Sequence, residues 1–209
     1  MIKAVIFDLD GTLLDSVPNI MLSFEHTLKQ MQLPFNESLL RGLIGVPTEG
    51  QGNLLAGDRK EEYSQVYRDF YRSLPHAPLF EGTKEMLIEL GNRGFSRALV
   101  TSKIAGSARK NLVTLGVDDY FDLLIGADDV INPKPHAEPL LTALDKLSIN
   151  KDEAVYVGDS SFDIDCAKGA GVRVIGVSWG ARTKEDLIKM NPDLVVDSWD
   201  EMLDWLQMF

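Results

Sequence analysis

Short apolar runs alternate along the chain with longer stretches whose apolar residues recur every three or four positions. Ala4 to Phe7, Arg97 to Val100, Phe121 to Ile125, Ala154 to Val157 and Val172 to Val177 are brief and bounded by Gly, Asp or Ser. That pattern predicts buried strands. Between them, Met86, Leu87 and Leu90 predict a helix over Glu85 to Arg93, stopped by Gly94. Helices are also predicted over Ser107 to Leu115, ended by Gly116, and over Glu138 to Leu147. Ser198 with Glu201 predicts a capping box for a last helix. Strand and helix alternate from about residue 80 onward, which predicts right-handed βαβ units and a parallel sheet of the α/β class.

The first strand stands outside this rhythm. The stretch after it shows no strand pattern, but Met21, Phe24, Leu28 and Met31 fall at helical spacing. So do Tyr63, Val66, Tyr67, Phe70, Tyr71 and Leu74, after Asp58 with Glu61 as a second cap signal. We therefore expect an all-helical insert over residues 16 to 78, with Pro18 and Pro75-His76-Ala77-Pro78 at its two ends as hinge positions. The tyrosine-rich stripe reads as core of the insert. Five glycines and Pro47 between Gly42 and Gly57 predict a loop-rich middle.

Composition narrows the classes of function. With 209 residues, 44% hydrophobic and 25% charged, the chain can bury a core without a metal or disulfide. Asp plus Glu outnumber Lys plus Arg by 32 to 21, a net charge of -11. That argues against a nucleic-acid binder or a binder of anionic membranes. It leaves room for a small anionic substrate, because a metal ion reverses the local sign of a site. Cys166 is the only cysteine, which suits a reducing compartment. No apolar run approaches the ~20 residues of a membrane span. Met1-Ile2-Lys3 runs straight into the first strand, leaving no room for a signal peptide, so we expect a cytoplasmic protein.

Four polar segments lie at the carboxyl ends of predicted strands. In Asp8-Leu9-Asp10-Gly11-Thr12, residues two apart on an extended chain point the same way, so Asp8 and Asp10 can face one point. Two close carboxylates call for a cation, and oxygen ligands with few protein donors suit Mg²⁺. The plain alternative is a polar turn. Gly158-Asp159-Ser160-Ser161-Phe162-Asp163 places a second acidic pair at a strand end, where helix capping is the alternative. Thr101-Ser102-Lys103 offers a hydroxyl and backbone N–H groups near a helix start, or an ordinary cap. In Asn132-Pro133-Lys134-Pro135 two prolines aim the Lys134 ammonium, a point charge suited to phosphate; a surface lysine in a turn is the alternative. All four lie at the carboxyl edge of the predicted sheet, where ligands bind in open α/β folds.

On these motifs, in this order, the sequence resembles the haloacid dehalogenase-like hydrolase superfamily, in particular its phosphoglycolate phosphatase and pyrophosphatase-like branch. The resemblance implies a doubly wound, Rossmann-like core over residues 1–15 and 79–209, with an inserted helical cap over 16–78. It implies a Mg²⁺-dependent hydrolysis of a small phosphorylated substrate. Asp8 would be the nucleophile, forming an aspartyl-phosphate. Asp10 would protonate the leaving oxygen and then activate water. Thr101 and Lys134 would hold the phosphoryl group, with Thr12 and Ser102 beside them. The metal would be bound by Asp8, the Asp10 carbonyl and Asp159, with Asp163 behind. Two positions depart from the family pattern: Ser102, often Asn, and Pro135-His136-Ala137-Glu138-Pro139, often Pro-Asp-Pro-Glu-Pro.

Neighbouring readings separate on single residues. A β-phosphoglucomutase-like phosphotransferase resembles this chain but carries Glu-Asp where Gly158-Asp159 stands. A dehalogenase needs no acid at Asp10. A phospho-accepting receiver domain takes phosphate on its third strand, whereas Asp8 follows the first. Pyrophosphate, phosphoglycolate, sugar phosphates and nucleotides remain open as substrates. Arg41, Arg59 and Lys60, near the glycine-rich middle of the insert, are candidate contacts to the rest of the substrate. His136 and the Asp128-Asp129 pair read as loop or capping residues, and Cys166 as a small buried side chain.

Overall fold

The computed structural model describes residues 1–209. Six parallel strands form one sheet: β1 (Ala4–Phe7), β2 (Ser96–Val100), β3 (Leu123–Ile125), β4 (Ala154–Gly158), β5 (Arg173–Val177) and β6 (Leu194–Val196). Their spatial order is β3-β2-β1-β4-β5-β6. Phe7 at the end of β1 stands between Leu99 of β2 and Val157 of β4. The chain winds outward from β1 to β3, then crosses back to β4 on the other side. The carboxyl ends of β1 and β4 therefore flank the topological switch point, where an open sheet leaves a crevice.

Five strands occupy the expected runs: β1 matches at both ends, and each of the other four is displaced at one end by one or two residues. β3 begins at Leu123 because a 3₁₀ turn over Asp118–Tyr120 precedes it. β6 is an addition. Its three residues sit between Asp193 and Asp197 at the sheet edge, too short a run to show a period.

Both faces of the sheet are covered, because consecutive residues of a buried strand point to opposite sides. Val5, Phe7, Leu99, Val157 and Val177 pack against α5 (Thr83–Asn92), α6 (Ala105–Thr114) and α10 (Trp199–Leu206). Ala4, Ile6, Ala98, Val100 and Tyr156 pack against α7 (Glu138–Leu147), α8 (Ser161–Ala170) and α9 (Lys184–Lys189). This is a doubly wound α/β fold. The cap of α10 differs slightly from expectation: Ser198 accepts from the Glu201 N–H at 3.3 Å, but the Glu201 carboxylate accepts from Asp197, not Ser198.

Residues between β1 and α5 form helices only: α1 (Val17–Gln30), α2 (Glu37–Gly42), α3 (Thr48–Ala56) and α4 (Lys60–Ser73). They bury their own cluster, including Ile20, Phe24, Leu28, Leu40, Ile44, Tyr63 and Tyr67. α3 overturns the expected loop-rich middle. Its Gly52 lets α3 lie against the start of α4, since a Cβ there would stand 2.9 Å from the Lys60 carbonyl oxygen. Buried Gln51 ties the segment down by donating to the Val46 carbonyl at 2.9 Å. Asp58 does not cap α4; it lies in a 3₁₀ turn, and Glu61 and Glu62 supply the acidic first turn. Pro18 lies in the first turn of α1, where its missing N–H costs nothing. The two passages to and from the sheet run side by side: Asp15 donates to Pro78 at 2.9 Å and Phe80 to Leu13 at 3.0 Å. No helix is long and apolar enough to cross a membrane.

Candidate active site

The switch point is built by two loops that close on each other. The Asp8 N–H continues the sheet ladder to the Val157 carbonyl at 2.9 Å, so the Asp8 side chain is aimed by the sheet itself. Gly11 then turns the chain at φ +82°, and any Cβ there would lie 2.2 Å from Asp159 Oδ2. Fully buried Thr12 donates its hydroxyl to Asp159 Oδ1 at 3.1 Å, so it holds Asp159. The other Asp159 oxygen accepts from the Ala181 N–H at 2.6 Å. Asp163 stands in the first turn of α8 and accepts from both the N–H and hydroxyl of Ser160, at 3.0 and 2.6 Å.

Asp8, Asp159 and Asp163 are all buried, and their carboxylate oxygens come within 4.8 Å of one another. Lys134 is drawn into this cluster. Its ammonium lies 2.9 Å from Asp8, 2.6 Å from Asp163 and 2.9 Å from the Tyr156 hydroxyl, which itself donates to the Val100 carbonyl. Three carboxylates against one ammonium leave two negative charges unbalanced. Burial pushes Asp8 up to about 7, with Asp163 and Asp10 adding to the rise and Lys134 opposing it. Burial likewise raises Asp159 well above the usual carboxylate range, helped by Asp163 and Asp8. All-oxygen donors, deep burial and a charge deficit of two are what a hard divalent cation satisfies, so the residues fit a metal site.

Asp10 is placed differently. Its carboxylate leaves the cluster and accepts from the Lys103 ammonium at 2.9 Å. Thr101 is buried at the end of β2, and its hydroxyl accepts from the Lys103 N–H at 3.2 Å. The Ser102 hydroxyl is buried without a partner. The Lys134 loop is fixed by more than its prolines: Glu138 accepts from the backbone of Ile131 and Asn132 and from the Asn132 side chain, at 2.8 to 3.0 Å. Asp128 caps the neighbouring loop by accepting from Ala105 at 2.7 Å.

Lys103, Tyr156 and Glu138 were not among the expected site residues. Tyr156 carried a signal, a lone hydroxyl inside an apolar strand. Lys103 carried one too, a cation two residues after Thr101. The three cationic residues offered as substrate contacts make local pairs or face solvent. Arg41 pairs with Glu37 along its own helix, and Arg59 with Glu62 and the Met31 carbonyl. Lys60 is exposed at the start of α4, roughly 16 Å along the helix from Tyr71. His136 is exposed, and burial pushes the Cys166 thiol up to about 12.

The fold and site define an α/β protein with an acidic, metal-type centre at its switch point. The haloacid dehalogenase-like hydrolase model matches residues 5–177, and the chain belongs to that family of hydrolases. It is 38% identical to a probable phosphatase, IndB, of Dickeya dadantii, over 95% of this chain and 91% of that one. It is 36% identical to the pyrophosphatase PpaX of Halalkalibacterium halodurans, over 97% and 96%. The solved structure of a predicted phosphoglycolate phosphatase from Haemophilus somnus superimposes with a TM-score of 0.88 at 27% identity, covering 98% of both chains. Hydrolases of this family that act as phosphatases generally use a divalent metal, which the buried acidic cluster suits.

Proposed function

We propose that this protein is a Mg²⁺-dependent phosphatase that hydrolyses a small phosphomonoester through an aspartyl-phosphate on Asp8. One observation carries the reading. Of the three clustered carboxylates, Asp8 alone accepts nothing from a backbone amide or a hydroxyl. Asp159 and Asp163 are held by such donors on both oxygens or by several at once. Asp8 meets only the Lys134 ammonium, so its lone pairs are free to attack phosphorus.

In this reading an Asp8 oxygen bonds to phosphorus while the bond to the leaving oxygen breaks, and Asp10 gives that oxygen its proton. Asp10 then takes a proton from water as the water oxygen bonds to phosphorus, and the Asp8 carboxylate is regenerated with release of phosphate. Lys134, Thr101 and Ser102 are the groups at hand to hold the phosphoryl oxygens. Asp8, the Asp10 carbonyl and Asp159 would hold the metal, with Asp163 behind. Bound there, Mg²⁺ would neutralise charge on the phosphoryl group. Residues 16–78 would act as a cap that excludes water and reads the leaving group. The compartment proposed is the cytoplasm, on the strength of a single, buried cysteine.

The test is a panel of phosphometabolites with Mg²⁺, followed by acid quenching of the Asp10→Asn variant. That variant is expected to lose roughly 10²–10⁴-fold in rate on alkyl phosphates. It should also accumulate phosphorylated Asp8, read by peptide mass spectrometry. Label on any other residue would defeat the assignment. The named pyrophosphatase relative favours a second reading, hydrolysis of pyrophosphate. There the leaving group is a stable anion, so Asp10→Asn would cost much less.

A further inference from the structure

Lys103 sits on the loop between β2 and α6. Its ammonium is 2.9 Å from Asp10 Oδ1, 3.4 Å from the Tyr71 hydroxyl oxygen and 5.0 Å from the centre of the Tyr71 ring. Tyr71 lies in the last turn of α4, at the end of a stacked series in which it follows Tyr67 at 6.2 Å, and Tyr67 follows Tyr63 at 6.0 Å. The Asp10 carboxylate accepts no other hydrogen bond. One cation thus touches the first loop of the core and the far helix of the insert, and it alone sets where the Asp10 carboxylate points. A lysine has four rotatable bonds and a single contact holds it poorly; the hydroxyl and ring face of Tyr71 restrict it.

We propose that Lys103, held by Tyr71, is a positioning residue for Asp10 and makes the aim of that acid conditional on α4 being seated over the sheet edge. The inference rests on the reading of Asp10 as proton donor and extends it. Lys103 exchanges no proton in the reaction; it orients the group that does. When α4 lifts, the ammonium loses the Tyr71 hydroxyl and ring, and Asp10 loses its fixed rotamer. Proton delivery to the leaving oxygen is then confined to the closed arrangement, in which water is excluded. The competing account is an ion pair that merely stabilises the fold. The two differ in what they do to leaving groups.

The test uses full-length protein with Mg²⁺ and three variants: Lys103→Met, Lys103→Arg and Tyr71→Phe. Each is assayed on the best alkyl phosphate of the panel and on p-nitrophenyl phosphate, whose leaving group needs no proton. For Lys103→Met, kcat on the alkyl phosphate is expected to fall roughly 10²-fold and kcat on p-nitrophenyl phosphate by less than about tenfold, with KM within about threefold for both. Lys103→Arg should recover part of the loss. Tyr71→Phe keeps the ring and should show a smaller loss of the same selectivity. Amide exchange over the last turn of α4 should quicken in Lys103→Met. Equal kcat losses on the two substrates, or a raised KM with kcat kept, would overturn the proposal in favour of a structural or substrate-binding lysine. Unchanged exchange in α4 would overturn the bridge itself. Should Lys103→Met fail to fold by thermal melting, Tyr71→Phe carries both arms. If the wild-type protein hydrolyses no phosphoester, the phosphatase reading falls separately, and the exchange arm still decides whether Lys103 ties α4 to the core.

Discussion

Two lysines mark two regions of the molecule that share one site and obey different rules. At the sheet edge, the Lys134 side chain is 1% exposed and its partners Asp8, Asp163 and Tyr156 all come from the core. At the boundary with the helical insert, the Lys103 side chain is 15% exposed and its partners Asp10 and Tyr71 come from opposite sides. Burial pulls both ammonium groups toward neutrality, and in both the facing acids more than offset it, so both stay charged. The charge is therefore the same in the two places, and the geometry is not. The sheet-edge cluster is locked by backbone ladders and needs only a cation to complete it. The boundary lysine is held in part by Tyr71 of α4, a helix outside the sheet. A site for a common phosphoryl group can be rigid; a site that meets varied leaving groups has to open.

The largest expected effect belongs to the rigid region. Asp8→Asn should lower turnover on every substrate by on the order of 10³-fold or more, since it removes the proposed nucleophile. It also removes one of three crowded negative charges, so the variant should melt no lower than wild type in chelator. Substantial residual turnover would contradict the aspartyl-phosphate reading.

Lys134→Ala strips the cation from two buried carboxylates and should destabilise the metal-free protein by about 3–5 kcal/mol in urea unfolding. Lys103→Ala breaks a pair that water partly reaches, and should cost no more than about 1 kcal/mol. On activity, Lys134→Ala should depress all substrates together. Equal stability losses at the two lysines would erase the contrast between the regions.

Chelation should stop activity and Mg²⁺ should restore it, with a pH dependence whose sign is set by Asp8. Its carboxyl is raised from 3.8 to about 7 in the metal-free fold, so that fold binds a proton the unfolded chain does not hold between those values. Stability of the metal-free protein should therefore fall as pH rises through that window and level off above it. Metal must displace the same proton, so its apparent affinity should weaken by up to about tenfold per pH unit below 7. Calorimetric titration at pH 6 and pH 8 checks this; equal affinities would place the metal away from Asp8.

The smallest effect is expected on the outer side of the helical insert. Arg59→Ala breaks an exposed pair with Glu62 and one bond to Met31, in the turn before α4 and at the opposite end of that helix from Tyr71. Rates and substrate ranking should change by less than about twofold, as for other surface substitutions. A reordered substrate panel would restore Arg59 as a specificity residue and weaken the role given to Tyr71.

How far the site could be read from residues depended on how each part is encoded. Asp8, Thr101 and Asp159 follow apolar runs directly, and a parallel strand carries whatever follows it to one edge; Lys134, on the longer loop after β3, was marked by its flanking prolines. The two directions of Asp8 and Asp10 were not readable, because the i and i+2 rule holds only while the chain stays extended, and the chain bends at Leu9 between them. α3 was hidden because glycines weaken a helical pattern, and what sustains it is contact with α4. β6 was hidden by its length.

The strands and helices of the core, the helical character of the insert and the acidic edge follow from periodicity and from short motifs, because those are local: neighbours along the chain set them. The contacts that join residues distant in sequence do not. Thr12 reaches Asp159 across 147 positions, Lys134 reaches Tyr156 across 22, and Lys103 reaches Asp10 across 93. No local pattern encodes those pairings. They depend on the strand order that sets β1 between β2 and β4, and on the packing that brings the end of α4 down to the sheet edge. Side-chain charge is written into the chain, but which charge meets which is settled only when separate segments are brought within a few ångströms.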